Sequence, residues 1–242
     1  MRALAFVLGL MAAQSAGAAC RELRFEAVPY TVCTALAGDD LRLFLNGADG
    51  AYGGFAGVEA DLGKQGLALG FAMNAGMFRP DLSPVGLYVQ DGRQLTPIIT
   101  ADGPGNFGLL PNGVFCIGAR FSVLESRRFA IKPRECRYAS QSGPMLVIDG
   151  REHPRFKAGS ASRYIRNGVG VSADGQTAYF AISDRVVNFD AFARFFRDAL
   201  GTPNALYFDG SVSRLYAPEL GRSGAGFGIG PIVGLVVAGA GR

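Results

Sequence analysis

The 242-residue chain has one histidine and four cysteines, and this scarcity restricts the chemistry it can carry. No two cysteines have C-x-x-C spacing and His153 has no second histidine, so a zinc site is disfavoured. The sequence also lacks a G-x-S-x-G elbow, a phosphate-binding loop, and a G-x-G-x-x-G motif after a predicted strand. Simple serine-hydrolase, nucleotide-binding and zinc-enzyme functions therefore lose support.

Long apolar runs are scarce as well. Beyond the N-terminus, none approaches the roughly 20 residues that a membrane-spanning helix needs. Arg2, an apolar run and a small-residue tail precede Cys20, which is typical of a cleaved secretory signal. We predict a signal peptide at 1–19, a single domain at 20–242, a periplasmic or secreted location, and no integral membrane span after cleavage. Lipoprotein anchoring at Cys20 is the less favoured alternative, because Gly17 replaces the usual leucine.

Four cysteines in an exported chain predict two disulfides. Three pairings are open, and sequence proximity favours Cys20 with Cys33 and Cys116 with Cys136.

The formal net charge of +4 is modest, and the basic residues are scattered except between 120 and 137. That segment contains Arg127, Arg128, Lys132, Arg134 and Arg137. We expect a solvated loop there, with contact to an acidic polymer as the alternative. No nucleic-acid partner is predicted.

Short apolar runs ended by glycine or polar residues predict buried strands. They include Leu67–Met73, Val85–Gln90, Asn106–Ile117, Met145–Ile148, Gly168–Val171, Ala178–Ile182 and Asn204–Phe208. The clearest helix has Asn188 as its N-cap, an apolar stripe of phenylalanines, and a stop at Gly201. A shorter helix is predicted over Val58–Gln65. With no internal repeat or linker, the pattern indicates an α+β fold: one strand-rich domain with a mixed sheet and a few packing helices.

Six short polar motifs stand beside glycine at the ends of these runs. They are Asn74-Ala-Gly-Met-Phe78, Asn112-Gly113, Ser142-Gly-Pro144, Arg166-Asn-Gly-Val-Gly170, Ser183-Asp-Arg185 and Asp209-Gly-Ser-Val-Ser213. In this order they resemble the motifs of the phosphodiester glycosidase family, over roughly Leu41 to Val237. The resemblance implies an exported hydrolase that cleaves the bond between an anomeric carbon and a phosphodiester. Its partner would be a glycan or sugar phosphodiester.

The resemblance and the residue chemistry together name candidate site residues. Asp209 and Asp184 are the candidate catalytic carboxylates, because one must stabilise a sugar cation or activate water. The candidates for substrate binding are Asn74, Asn112, Arg163, Arg166, Asn167, Ser211, Ser213 and His153. Among these, Arg166 suits phosphate because guanidinium binds it in two-pronged fashion. His153 is expected in a solvated loop, with an acid–base role as its alternative.

Two departures from the family pattern motivate a second hypothesis. Ser211 and Val212 stand where the family usually has Gly-Gly, and Asn167 replaces a small residue. The alternative function is a non-catalytic periplasmic protein for glycan binding or polysaccharide assembly. No cofactor and no metal are predicted, although a weaker third hypothesis is a metal-assisted phosphodiesterase using Asp149, Asp184 and Asp209.

Overall fold

The protein is represented by a computed structural model that describes residues 20–226 and 228–239. The predicted signal peptide at 1–19 lies outside the described residues. Within the described ranges, no helix is long and apolar enough to cross a membrane. The single domain at 20–242 stays a prediction.

The described chain consists mainly of short strands. In chain order they are β1 (Cys20–Phe25), β2 (Val28–Leu36), β3 (Leu41–Phe44), β4 (Asn46–Gly47), β5 (Gly50–Ala51), β6 (Leu67–Asn74), β7 (Tyr88–Gln90), β8 (Arg93–Thr96), β9 (Gly113–Ile117), β10 (Phe121–Glu125), β11 (Tyr138–Ser142), β12 (Met145–Ile148), β13 (Arg151–Glu152), β14 (Asn167–Val171), β15 (Thr177–Ser183), β16 (Asn204–Asp209), β17 (Leu215–Ala217), β18 (Arg222–Ser223) and β19 (Ile232–Ala238).

These strands form three large sheets and one two-stranded ribbon. The seven-stranded sheet has the order β1-β2-β15-β14-β16-β12-β13. The two five-stranded sheets have the orders β10-β9-β11-β7-β8 and β18-β17-β6-β19-β3, and β4 pairs with β5. The α+β class is confirmed. Every pairing between the described strands of these sheets is antiparallel, so the expected mixed sheet is wrong in that detail. The chain joins neighbouring strands largely by turns and loops instead of helical crossovers, which favours antiparallel pairing.

Three α-helices are described: α1 (Phe55–Gly63), α2 (Ser126–Ile131) and α3 (Phe189–Arg194). Asn188 caps α3 as predicted, since its side chain accepts a hydrogen bond from the Ala191 amide at 2.9 Å. After α3 the chain continues as a π-helical turn, Phe195–Ala199, which buries further aromatic rings. Helix α1 begins three residues earlier than predicted, so that Phe55 packs in the core.

The main core lies where the three sheets meet. The Phe180 ring of the seven-stranded sheet is 5.3 Å from Phe71 of one five-stranded sheet and 5.7 Å from Phe115 of the other. Helix α3 covers the opposite face of the seven-stranded sheet, where Tyr30 stacks on Phe195 at 3.8 Å. The apolar faces predicted from the strand patterns are thus each covered by another layer.

Two segments differ from the sequence-based expectation. Only Gly113–Ile117 of the predicted strand pair 106–117 is a strand, because proline and glycine turn the chain before it. The segment 120–137 contains β10 and α2 instead of a solvated loop, and Glu125 caps that helix by accepting from the Arg127 and Arg128 amides.

Both predicted disulfides are present. Cys20 is bonded to Cys33 across the β1–β2 pair, and Cys116 is bonded to Cys136. The first ties an edge strand to its neighbour, and the second fastens the segment that follows α2 to strand β9.

Candidate active site

Most of the predicted residues lie at one edge of the seven-stranded sheet, where several of its strands begin or end. Asn167, the first residue of β14, lies opposite Ile182 of β15 and Asp209 of β16. Because antiparallel neighbours run in opposite directions, the start of β14 and the ends of β15 and β16 meet at one edge. Strand β6 of another sheet ends here too, since Asn74 is bonded to Asn167.

Asn74 and Asn167 form a buried amide pair at the centre of this edge. The Asn167 Nδ2 donates to the Asn74 carbonyl at 2.9 Å and lies 3.0 Å from Asn74 Oδ1. Asn167 Oδ1 accepts from the Asp209 amide at 3.1 Å, and Asn74 Oδ1 accepts from the Arg214 amide at 2.9 Å. Both side chains are fully buried, so in this structure they hold the backbone and do not face a ligand.

Asp209 occupies the end of β16 with its side chain almost fully buried, at 8% exposure. Its Oδ1 accepts from the Ser211 amide at 2.7 Å, which is a turn-stabilising bond that Asp-Gly sequences favour. Burial raises the pKa of the Asp209 carboxyl, while the amides of its own turn lower it by a smaller amount. None of the described residues forms an ion pair with it. A carboxyl group in this setting is suited to proton transfer.

The two predicted serines have different surroundings. The Ser213 hydroxyl donates to the Asp209 carbonyl at 2.7 Å and also lies near the Ile165 carbonyl and Asn167 Oδ1. Ser211 is exposed at the rim of the same turn. Ser213 therefore shapes the loop, while Ser211 is open to solvent.

Asp184 lies just beyond the end of β15 in a small polar cluster. Its Oδ2 accepts from the Thr31 hydroxyl at 2.9 Å, and its Oδ1 accepts from Arg222 Nη1 at 2.5 Å. Arg222 Nη1 also lies 2.7 Å from the Thr31 hydroxyl oxygen. Asp184 thus holds the Arg222 guanidinium directly through Oδ1, and its Oδ2 holds the Thr31 hydroxyl that also contacts Arg222.

A surface cavity of about 500 Å³ opens beside this cluster. Its wall includes Asp184, Ser213, Arg214 and Arg222. Through Ser213 the cavity adjoins the Asp209 turn. Two arginines, one carboxylate and a hydroxyl at one opening suit an anionic, oxygen-rich ligand.

Arg166 is fully buried below this edge. Its Nε donates to the Val187 carbonyl at 2.9 Å and its Nη2 to the Ser162 carbonyl at 3.0 Å, so it fastens two loops together. The guanidinium carbon lies 3.7 Å from the centre of the Phe189 ring. Nη1 has no hydrogen-bond partner among the described residues. Direct phosphate binding, as predicted for Arg166, would require these loops to move.

Tyr207 connects Arg166 to the Asp209 turn. A Cβ added at Gly210 would lie 2.1 Å from the Tyr207 hydroxyl oxygen and 3.5 Å from Arg166 Nη1. Burial raises the pKa of Tyr207; the Arg166 charge lowers it and the Asp209 charge raises it further. The tyrosine thus lies within electrostatic reach of both the buried cation and the buried carboxyl.

Two further predicted residues have hydrogen-bond partners of their own. Arg163 is exposed and donates to the Val186 carbonyl at 3.3 Å. Asn112 is buried and donates to the Phe107 carbonyl at 2.9 Å, beside Gln141. Neither side chain is hydrogen-bonded to the Asn74–Asn167 pair within the described part of the chain.

His153 is not in a solvated loop, and that expectation is wrong. Its ring is buried, at 2% exposure, and stacks on Phe156 with centroids 4.7 Å apart. Phe156 in turn stacks on Phe189, the ring beneath Arg166. Burial lowers the pKa of His153 to about 4, the nearby Arg155 charge lowers it further, and the backbone carbonyls of residues 109 and 110 partly oppose this.

The three carboxylates of the metal hypothesis do not converge. Asp149 Oδ2 pairs with Arg128 at 2.8 Å, and the Asp149 amide is bonded to Asn204, at the start of β16. Asp209 is at the other end of that strand, about 17 Å away at the usual rise per residue. Within the described residues, no cluster of three potential metal-ligating side chains is found.

Sequence reasoning missed three residues of this edge: Thr31, Tyr207 and Arg222. Thr31 and Tyr207 are inside strands and read as ordinary strand residues. Arg222 is 38 positions from Asp184, and no local motif connects the two. Only the fold brings these residues to the candidate site.

Fold and site together define a strand-rich α+β protein with a carboxyl group and arginines at one sheet edge. The sequence pattern of the phosphodiester glycosidase family matches residues 69–225, and the chain belongs to that family. The matched segment contains the site residues from Asn74 to Arg222, while Thr31 of the Asp184 cluster lies outside it.

Individual proteins are similar to this chain in sequence or in fold. The chain is 35% identical to the uncharacterised protein YigE of Escherichia coli K12 over 178 residues, 73% of this chain and 69% of that protein. A solved structure with a similar fold is the zebrafish N-acetylglucosamine-1-phosphodiester alpha-N-acetylglucosaminidase catalytic domain, auto-inhibited by its pro-peptide. The TM-score is 0.59 at 14% identity, covering 89% of this chain and 81% of that one. A Burkholderia pseudomallei K96243 protein, described as exported, has a TM-score of 0.55 at 13% identity, covering 86% and 74%.

Proposed function

We propose that this protein is an exported hydrolase that cleaves the bond between a sugar's anomeric carbon and a phosphodiester in an envelope or extracellular glycan. The observation that carries the proposal is the sheet edge itself. It contains a buried carboxyl group, Asp209, whose backbone carbonyl accepts from Ser213, and Ser213 lines a cavity walled by Arg214 and the Asp184–Arg222 pair. Two disulfides support a periplasmic or secreted location.

The proposed reaction assigns one task to the residues of the cavity and another to the adjoining Asp209 turn. The arginines bind the phosphate, and Asp184 acts as a positioning residue because both its oxygens hold Arg222 and Thr31. Asp209 stabilises the developing sugar cation or accepts a proton from the attacking water. The bond from the anomeric carbon to the phosphate oxygen breaks, a bond to the water oxygen forms, and the phosphate leaves as a monoester anion.

The buried polar residues beneath this edge hold its backbone in place through hydrogen bonds. Asn74 and Asn167 fix the Asp209 amide and the Arg214 amide, and Arg166 fixes the loops on either side. Their role in the proposal is to position the site and not to contact the sugar.

The test is release of free sugar from a sugar 1-phosphodiester by the purified protein. We expect Asp209→Asn to lower kcat by about a hundredfold or more, since it removes a proton-transfer group. Arg222→Met should mainly raise KM, because it removes a phosphate contact. Asp174→Asn is the matched control: this carboxylate is exposed in the β14–β15 turn, and the change should leave turnover unaltered. Full activity of Asp209→Asn would refute the catalytic assignment.

The second candidate is a glycan-binding protein without turnover. It is favoured by the way Asp209 Oδ1 is engaged by its own turn, where Ser211 and Val212 replace the family's glycines. Saturable binding of the same phosphodiester, with no sugar released over prolonged incubation, would support this candidate over the hydrolase.

A further inference from the structure

The positive charge of the chain is concentrated far from the candidate active site. Residues 120–137 contain six arginine or lysine residues and two glutamates. Their net charge of +4 is as large as the formal net charge of the entire chain. Because this segment folds into β10, α2 and a return strap, Lys132–Arg137, the charges are held on a defined surface.

A cavity of about 570 Å³ lies within this segment. Four cations contribute to its wall, namely Arg120, Arg128, Lys132 and Arg134, and among the described residues Glu135 is the one carboxylate that lines it. Apolar atoms of Phe121, Leu124 and Pro133 line the rest. The cavity therefore combines positive charge at its rim with an apolar surface.

Within the described residues, no cation of this cavity is held by a buried ion pair, although Arg120 donates to the Asp174 carbonyl at 2.9 Å. Lys132 and Arg134 are exposed and form no ion pair with any described residue. Arg128 pairs with Asp149, but both side chains are more than half exposed, so this ion pair is weak. The Ser122 hydroxyl, in the same wall, is buried without a hydrogen-bond partner among the residues that the structure describes.

The strap is fixed in place before any ligand binds. Cys136 is disulfide-bonded to Cys116 of β9, and the Arg137 amide donates to the Ile117 carbonyl at 2.8 Å. Pro133 further restricts the backbone. A site that is already ordered loses less conformational entropy when a ligand binds.

This cavity is separate from the candidate active site. A smaller depression that shares Arg120, Ser122 and Arg134 with it also touches Val171 and Asn204. Those residues are the end of β14 and the start of β16, whereas the candidate active site is at the opposite ends of both strands. Along β16 these two ends are about 17 Å apart, as five residue steps separate Asn204 from Asp209.

We propose that this basic cavity binds an acidic glycan, a sugar chain that carries carboxylate, sulfate or phosphate groups. The guanidinium and ammonium groups bind its anions, and sugar ring faces pack on Leu124 and Pro133. Single-stranded nucleic acid fits less well, because its bases stack on exposed aromatic rings. The one aromatic side chain in the wall, Phe121, is 4% exposed and packs against Phe115. The proposal does not depend on hydrolysis at the other site.

Isothermal titration calorimetry with an oligogalacturonate hexamer tests this site. The uncharged probe is maltohexaose, and a third probe is single-stranded oligothymidylate. The variant is K132E with R134E, and the matched control is R21E with R151E, which changes the net charge equally at exposed positions elsewhere. We expect the charge reversal in the cavity to weaken oligogalacturonate binding at least tenfold and the control less than threefold.

Three outcomes overturn the proposal: equal weakening by both double variants, equally tight binding of maltohexaose, or tighter binding of oligothymidylate that the cavity variant abolishes. Turnover of a small sugar 1-phosphodiester should be unchanged in both variants. A negative result for glycan binding at the basic cavity can therefore be distinguished from a negative result for the proposed hydrolase.

Discussion

Asp209 stabilises its own turn and is also the candidate catalytic carboxyl group. For an aspartate followed by glycine these two roles are usually alternatives. One oxygen stabilises the turn by accepting from the Ser211 amide, while burial raises the pKa of the group. A raised carboxyl pKa means that the folded protein retains a proton that the unfolded chain has lost. The stabilisation that this carboxyl group contributes is therefore largest at acid pH. It decreases as the pH rises from the pKa of the unfolded chain to the higher pKa of the folded protein. The Asp209 side chain thus stabilises its turn although burial disfavours the charged form of the carboxyl group.

His153 acts on stability in the opposite direction. Its pKa is lowered to about 4 in the fold, against an ordinary value near 6.5. Above pH 6.5 the buried neutral ring contributes fully to the free energy of unfolding. This contribution decreases by up to about 3 kcal/mol as the pH falls from about 6.5 to about 4. We predict that His153→Gln removes most of this dependence, measured as the difference in urea unfolding free energy between variant and parent across that range.

The matched control for this prediction is Lys157→Gln, an exposed change four residues away. It should keep the acid-dependent loss of the parent. Because Asp209 titrates with the opposite sign, only the difference between variant and parent isolates the histidine. An unchanged pH profile in His153→Gln would contradict a neutral, buried His153.

At the scale of the elements, the Asn74–Asn167 pair joins strands of two different sheets. Asn167→Ala removes the side chain that bonds the Asn74 carbonyl and the Asp209 amide, leaving both buried groups without a partner. We predict a loss of about 2 to 4 kcal/mol in unfolding free energy, since each unsatisfied buried group costs roughly 1 to 3 kcal/mol. Chemical denaturation measures it, with the exposed Asn46→Ala as control.

Kinetics of the same variant distinguish positioning from substrate contact. If Asn167 positions the site, the activity of the folded fraction should fall mainly in kcat, because the Asp209 turn is displaced. A pure rise in KM at full stability would instead indicate that Asn167 contacts the substrate.

At the scale of the whole molecule, the two disulfides should have similar effects on stability but different effects on binding. Replacing either pair by serine should lower the unfolding free energy by about 3 kcal/mol, from loops of 13 and 20 residues. Only the Cys116–Cys136 variant should also weaken oligogalacturonate binding, because only that bond fixes the strap. Equal binding by both variants would show that the strap needs no covalent tie.

Local sequence signals predicted a considerable part of this fold. Apolar runs located β6, β12 and β16, and Asn188 correctly marked the start of α3. The segment 120–137 was mispredicted, because its high charge concealed a short strand and a six-residue helix.

Side-chain partners were much harder to foresee than strand ends. The sequence placed Asn74 at a strand end, but it could not show that the partner is Asn167, 93 residues away. The Asp184–Arg222–Thr31 cluster likewise depends on the order of strands in two sheets. Such contacts are decided by tertiary packing, which short motifs do not encode.

The candidate active site lies at one end of β14 and β16, and the depression beside the basic cavity lies at their other end, which restricts how this protein can evolve. The lengths of these strands contribute to the distance between the two sites, and changes in the surface loops leave that contribution unaltered. Inserting one residue in a strand would turn every following side chain to the other face. A relative adapted to a different spacing along its glycan would need paired insertions of two residues in both strands. Changes in the loops, in contrast, can alter what each site recognises while the spacing is preserved.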